Sequence, residues 1–367
     1  MYPVRFYAND GKGNFSRYEE KNSTKYTSSN VISVCDYNKD GLIDIFVGGT
    51  VKPGSYGLIP DSYLLRIKES YLEDLTPLIL KNIGMVKSAQ WADMNGDGWM
   101  DLVVAGEWMP VSVFYTRNGY LDSAPTIIGY SYGWWNKLQC VDMNGDGKLD
   151  IVAGNLGLNT RYTGTPEFPV TMLVNDYDQN GSTDCIISTF VKGKPYPICI
   201  RDYMLDQMPF LRKKFLRYSA YSNADVTTMF TLDQLSSSKV YSANEMHSAL
   251  FLNQGNETFY KKDLPAEAQF FPVNGIQVMD VNKDGKPDLL LAGNDYSTEV
   301  ETGRNDAGIG LLLIGDGKGE FKTVPVNESG FYVPGDVKSL ETIMIKGKRS
   351  FVAGKNGGKI QFLQLVN

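Results

Sequence analysis

A nine-residue acidic pattern returns five times along this chain and limits what it can fold into. The copies are Asp36-Tyr-Asn38-Lys-Asp40-Gly41-Leu-Ile-Asp44, Asp93-Met-Asn95-Gly-Asp97-Gly98-Trp-Met-Asp101, Asp142-Met-Asn144-Gly-Asp146-Gly147-Lys-Leu-Asp150, Asp176-Tyr-Asp178-Gln-Asn180-Gly181-Ser-Thr-Asp184 and Asp280-Val-Asn282-Lys-Asp284-Gly285-Lys-Pro-Asp288. Short apolar or alternating runs lead in (Val31 to Cys35, Ile276 to Met279) and β-rich runs lead out (Ile45 to Val47, Leu102 to Ala105, Ile151 to Ala153, Leu289 to Ala292). Such flanks predict strands on both sides of each loop. Several outgoing runs end in a glycine turn, as at Gly48-Gly49, Gly106-Glu107, Gly154-Asn155 and Gly293-Asn294. A second recurrence, Asp10-Gly-Lys-Gly-Asn-Phe15 against Asp316-Gly-Lys-Gly-Glu-Phe321 with a looser copy at Asn253 to Phe259, reads as hairpin turns between outer strands.

A strand, loop, strand unit repeated in this way predicts an all-β fold, a β-propeller of six to seven four-stranded blades forming one domain over residues 1–367. The five loops start at residues 36, 93, 142, 176 and 280, so the third interval is short and the fourth long. The excess is assigned to a small helical insertion at about 201–235, where Tyr203, Leu205, Met208, Phe210, Leu211 and Phe215 alternate with Arg and Lys. A sixth unit at Asp336 to Val366 keeps the outgoing strand, Phe351-Val-Ala-Gly-Lys-Asn356, but has lost its acidic loop. The half-blade at Tyr2 to Tyr18 either closes the sixth blade or belongs to a seventh.

The loops carry their own chemistry. Positions 1, 3 and 5 supply Asp or Asn oxygens, position 7 a backbone carbonyl and position 9 a closing Asp, while Gly at position 6 permits the bend. A hard dication that takes six to eight oxygens fits this set, and up to five calcium ions are expected. The predicted ligands are Asp36, Asn38, Asp40 and Asp44; Asp93, Asn95, Asp97 and Asp101; Asp142, Asn144, Asp146 and Asp150; Asp176, Asp178, Asn180 and Asp184; and Asp280, Asn282, Asp284 and Asp288. An EF-hand is excluded, because that loop needs Glu at position 12 and helices on either side. The competing reading, ordinary Asp/Asn/Gly turns, weakens with each copy of the same spacing. Three carboxylates in each loop account for 15 of the 42 acidic residues, and five dications would move the formal charge from −6 to +4. Transition metals are disfavoured, since His247 is the only histidine and no cysteine occupies a ligand position.

These loops and their outgoing strands resemble the FG-GAP/VCBS repeat family, the propeller type found in integrin α-chain heads. Gly154-Asn-Leu-Gly-Leu-Asn159 and Glu301-Thr-Gly-Arg-Asn-Asp306 resemble bacterial surface proteins that carry such repeats, particularly those of Bacteroidetes. The resemblance implies export, calcium in the loops, and adhesion or ligand binding on one propeller face. The expected location is therefore extracellular or at the cell surface, outer-membrane associated or periplasmic in a bacterium. The chain itself shows no signal core and no run of about 18 apolar residues that would span a membrane, so a longer exported protein with an upstream segment is expected.

The expected partner is a glycan or a protein. Lys and Arg form no stripe suited to a phosphate backbone, which argues against nucleic acid. Candidate ligand-binding residues lie in the loops after the outgoing strands: Trp108, Asn155, Asn159, Arg161, Asp295, Glu301 and Arg304. Gly133-Trp134-Trp135 is read either as a stacking surface for sugars or as packing between blades. No nucleophile elbow, phosphate loop or dinucleotide fingerprint occurs, and the expectation is no catalytic residue and no enzyme. Two alternatives stay open: a calcium-dependent polysaccharide lyase or other carbohydrate-active enzyme, and a purely structural module. Of the four cysteines, Cys185 and Cys199 flank the Lys192-Gly193 turn symmetrically, so a cross-strand disulfide is one possible pairing.

Overall fold

The computed structural model describes residues 2–3, 5–18, 25–68, 72–299 and 302–365. The chain divides into two compact units, Met1–Lys87 with Gly164–Asn244 and Ser88–Thr163 with Glu245–Asn367. The architecture is mostly β, of the propeller type: antiparallel sheets, four of them four-stranded, with the strands of some following one another as a meander.

In the first unit the strands Val31–Cys35, Asp44–Gly48, Tyr63–Ile67 and Leu72–Asp74 pair in chain order. The first acidic loop joins the first two, with Cys35 level with Asp44. Every residue of Asp44–Gly48 is buried, as expected of a central strand covered on both faces, which is why its sequence is a continuous apolar run rather than an alternation. The hairpin Phe6–Asn9 with Phe15–Tyr18 pairs within itself, around the Asp10-Gly-Lys-Gly turn.

The second unit repeats the plan. Met85–Ala92 leads into Asp101–Met109, then Ser112–Phe114 and Thr126–Ile127, with Gly133–Trp134 added on the other side of Asp101–Met109. Val273–Met279, Asp288–Gly293, Leu311–Gly315 and Phe321–Val324 form a further four-stranded sheet. The degenerate sixth unit is a sheet of three strands, Val337–Ile345, Lys348–Lys355 and Gln361–Gln364. The outgoing strands end in glycine because the chain packs tightly there: a Cβ on Gly293 would lie 1.6 Å from the carbonyl oxygen of Pro272.

The irregular loop spacing has a topological cause larger than the helical insertion expected. Strand Asp150–Gly154 pairs with Ala249–Gly255, Val152 opposite Leu250, and everything between is inserted into that sheet. The insertion is itself a sheet, in the order Lys194–Pro197, Asp184–Val191, Val170–Asn175, Lys239–Ala243, and it carries the fourth acidic loop. Its last strand joins the edge beside Val170–Asn175 instead of extending the meander. Between Lys194–Pro197 and Lys239–Ala243 run the predicted helices, Arg201–Gln207, a 3-10 turn Pro209–Lys213, Tyr218–Ser222, Val226–Met229 and Leu232–Ser236. Leu205, Met208, Leu211 and Phe215 pack with Tyr177 of the fourth acidic loop and Ile186 of the sheet, whereas Tyr203 and Phe210 face solvent.

The cysteines are free. Lys192 and Gly193, both at positive φ, turn the hairpin as the sequence suggests, but the register sets Ser188 against Pro197 and Val191 against Lys194. Extended two residues, that register puts Cys199 level with Ile186, so Cys185 and Cys199 are one residue out of step and point to opposite faces. Among the described residues no helix is long and apolar enough to cross a membrane.

Candidate metal centres

All five loops adopt one conformation, built from their own hydrogen bonds. The Asp at position 1 accepts the amide of the position-6 glycine through Oδ2: Gly41 to Asp36 at 2.9 Å, and Gly98 to Asp93, Gly147 to Asp142, Gly181 to Asp176 and Gly285 to Asp280 each at 2.8 Å. The position-5 side chain accepts the amide of position 7, as from Leu42 to Asp40 at 2.9 Å and Ser182 to Asn180 at 2.7 Å. The position-6 glycines sit at φ between 83° and 85°, the left-handed region that L side chains avoid. Position 4 is also left-handed, a feature that sequence reading missed. Gly96 and Gly145 hint at it, but Lys39, Gln179 and Lys283 hide it.

The closing Asp at position 9 is buried in every loop: Asp44, Asp101, Asp150 and Asp288 are 0% exposed and Asp184 is 3%. In four loops its Oδ2 accepts the amide of position 2: Met94 to Asp101 at 2.8 Å, Met143 to Asp150 at 2.9 Å, Tyr177 to Asp184 at 3.0 Å and Val281 to Asp288 at 2.8 Å. Its Oδ1 reaches the next element, taking the amides of Thr116 (2.8 Å), Asn253 (2.8 Å) and Gly315 (2.9 Å), or the Gln207 side chain (2.9 Å). The residue predicted as a ligand is thus also the staple that ties loop to sheet. Burial pushes the carboxyls of Asp44, Asp150 and Asp184 up and that of Asp101 up to about 7, with neighbouring loop carboxylates adding to the shift.

The first loop departs from this scheme. Arg66, on the third strand, donates from Nε to Asp44 Oδ1 at 2.7 Å and pairs through Nη1 with Asp40 Oδ2 at 2.8 Å. Asp44 Oδ2 is buried and has no hydrogen-bond partner. A carboxylate oxygen left this way fits a cation in the loop.

Among the described residues two clusters bring three ligand-bearing side chains within 4.8 Å of one another. In the fourth loop these are Asp176, Asp178 and Asp184. That set is all oxygen and suits a hard cation. The second cluster, Glu245, His247 and Asp263, lies outside the repeats. There the ammonium of Lys261 pairs with Glu245 and, at 2.7 Å, with Asp263, so a cation of the chain's own already sits among the acids. His247 Nδ1 lies 2.7 Å from Glu245 Oε1.

The candidate ligand-binding residues are placed as follows. Trp108 is buried, at φ 57°, where the pairing of Asp101–Met109 with Gly133–Trp134 shifts register. Asn155 is fully buried, donating to the carbonyls of Glu245 (2.9 Å) and His247 (3.3 Å) and accepting from the amide of Trp134 (3.1 Å). Asn294 occupies the matching place after Gly293 and is spent in the same way, on Gly308 and Gly335. Asn159 donates to the Phe270 carbonyl at 3.2 Å, and Arg161 is exposed. Asp295 pairs with Lys338 at 3.1 Å, and Arg304 lies over the ring of Tyr296 at 5.1 Å. Glu301 lies outside the described residues. Trp135 is core, donating its indole N–H to Ser131 O at 2.7 Å, whereas Trp134 is half-buried.

One segment, from the second loop into the outgoing strand of the third, matches a known repeat family. Residues 93–153 match the FG-GAP-like repeat. The match covers two consecutive acidic loops and the strands between them. Curated proteins give no match. Solved structures that are similar include a lectin of Agrocybe aegerita that recognises non-reducing terminal N-acetylglucosamine, at 14% identity over 96% of this chain and 86% of that one, with a TM-score of 0.32. A GH43_1 enzyme of Xanthomonas citri complexed with xylose is similar at 12% identity over 91% and 83% of the two chains, with a TM-score of 0.38. The V. cholerae biofilm matrix protein Bap1 is 14% identical over 85% of this chain and 41% of its own, with a TM-score of 0.31. Likeness at this level implies nothing about ligand or activity.

Proposed function

We propose that the chain is a calcium-stabilised binding module, exported to the cell surface or its surroundings, that holds a glycan or a protein partner and performs no catalysis. The observation that carries this reading is the burial of one carboxylate per acidic loop beside two others. Asp176, Asp178 and Asp184 converge in one loop, and Asp44 Oδ2 is left unpartnered in another. Buried acids of like charge repel unless a cation or hydrogen bonds offset them. An oxygen-only set in a short rigid loop suits calcium, and extracellular modules bind it at millimolar levels. In this reading Asp, Asn and a carbonyl hold the ion, and the ion ties neighbouring strands together. Its role is structural, with binding left to the surface between the loops.

The test is thermal melting of the chain in chelator and in millimolar calcium. A midpoint that rises with calcium, and a rise that shrinks in Asp176→Asn/Asp178→Asn, supports the reading. Identical melting in both conditions refutes it. Calcium-dependent release of unsaturated sugars from a pectin-like polymer would overturn the non-catalytic half alone and favour the lyase.

A further inference from the structure

The segment after the second acidic repeat carries three aromatic residues, Tyr130, Tyr132 and Trp134, that neither the acidic loops nor the core uses up. From Tyr130 to Trp135 burial alternates: Ser131, Gly133 and Trp135 are buried, while Tyr130, Tyr132 and Trp134 reach solvent. Tyr130 is 72% exposed, on a backbone held at φ 55°. Every second residue of this stretch is therefore a ring offered outward. The inward residues fix it in place, since the Trp135 indole binds Ser131 O and the Tyr132 carbonyl accepts the amide of Glu245 at 2.9 Å.

Trp134 is set between two further rings. Trp108 meets it edge-on at 4.9 Å and 70°, and Tyr162 at 4.5 Å and 66°. Its indole N–H is buried without a hydrogen-bond partner, an uncompensated donor on a ring that Tyr162 meets edge-on. Tyr162 belongs to the long connection between Asp150–Gly154 and Val170–Asn175 and feels charges of both signs, Glu299 and Arg161. Amphipathic rings with mixed charge at the margin suit a ligand with flat apolar faces, hydroxyl rims and no net charge. A strongly acidic polymer would meet Glu299, and a basic one Arg161.

We infer that Tyr130, Tyr132, Trp134 and Tyr162 form a stacking strip for a neutral polysaccharide, with Tyr162 covering Trp134 until a sugar ring takes its place. The inference rests on the reading of this chain as a binding module and names the ligand class. It also gives the orphaned indole N–H a partner, a sugar hydroxyl reached once Tyr162 moves.

The test is affinity electrophoresis of the calcium-loaded chain in native gels containing hydroxyethyl-cellulose, arabinoxylan or galactomannan, with pectate gels and a polyproline peptide titration alongside. Retardation is expected in at least one neutral gel, weakened about two- to tenfold for each ring removed in Tyr130→Ala and Tyr132→Ala. Tyr130 is so exposed that its loss leaves the fold intact, and Trp134→Phe checks the indole N–H without emptying the site. Retardation by pectate alone, or capture of the peptide alone, overturns the neutral-sugar assignment and leaves the binding module standing. Retardation undiminished in both tyrosine variants overturns the strip as the site. If nothing binds while calcium still raises the melting point, the inference fails and the calcium half of the module reading survives.

Discussion

Asn253 donates its side-chain amide to the carbonyl of Met94 at 2.7 Å, fastening the third strand of one sheet to the acidic loop of the sheet before it. The same amide reaches Leu149 O at 3.1 Å, and the Asn253 backbone N–H goes to the closing Asp150. One residue thus joins two consecutive FG-GAP-like loops. Asn253→Ala strands the carbonyls of Met94 and Leu149, and at roughly 1–3 kcal/mol for each unsatisfied group the cost is about 2–6 kcal/mol. Urea unfolding should show a loss in that range. A loss below about 0.5 kcal/mol would mean that water or a neighbour replaces the amide.

Arg66 invites a second test. It offsets Asp40 and Asp44 from inside the first sheet, and breaking a buried pair leaves a charge with no partner. Arg66→Met is expected to destabilise the chain by about 3–5 kcal/mol in chelator. Calcium, by supplying positive charge to the same carboxylates, should restore part of the loss. Equal destabilisation with and without calcium would show that the first loop takes no ion.

The loop backbone makes a contrasting pair of predictions. Gly98 at φ 85° and Gly96 at φ 74° are both left-handed, but Lys39, Gln179 and Lys283 show that position 4 accepts side chains, whereas position 6 is glycine in all five loops. Gly98→Ala should cost about 1–2 kcal/mol, and Gly96→Asn close to nothing, since Asn enters this region readily. Thermal melts of the two variants side by side decide it.

How far the sequence revealed all this depends on which residues do the work. The acidic loops were legible because their geometry is local: each hydrogen bond that shapes them spans at most seven residues, from Met94 to Asp101 for example. The blades were legible for the same reason, apolar runs bounded by turns. The insertion of a whole sheet between Asp150–Gly154 and Ala249–Gly255 was not, because a strand carries no mark of its distant partner. Asn155 and Asn294 show the other limit. A polar residue after a glycine turn suggests ligand binding, but both side chains are spent on carbonyls far away in sequence, at Glu245 and Gly335. Their recurrence in Ala-Gly-Asn at 153–155 and 292–294 was the available signal for a structural role. The Tyr130, Tyr132, Trp134 alternation was likewise present, hidden because no long regular strand frames it.

His247, the only imidazole in the chain, should make one part of the stability titratable. Its hydrogen bond to Glu245 raises its pKa above the usual value, against the opposing pull of burial. Burial would raise Glu245, but His247 and Lys261 more than offset it and hold that carboxyl below its usual range. A raised histidine contributes stability that is complete below its unfolded pKa, about 6.5, and is lost as pH rises through the folded value. A lowered glutamate contributes above its unfolded pKa, about 4.3, and loses that contribution as pH falls through the folded one. The pair therefore stabilises most between about pH 4.3 and 6.5. The difference in melting temperature between the native chain and His247→Gln should be largest there and shrink towards about pH 8, once the imidazole is neutral in both states. Because every other titrating group is common to the two proteins, the difference isolates this contact, and one that grew above about pH 7 would show that His247 acts as a neutral hydrogen-bond partner instead.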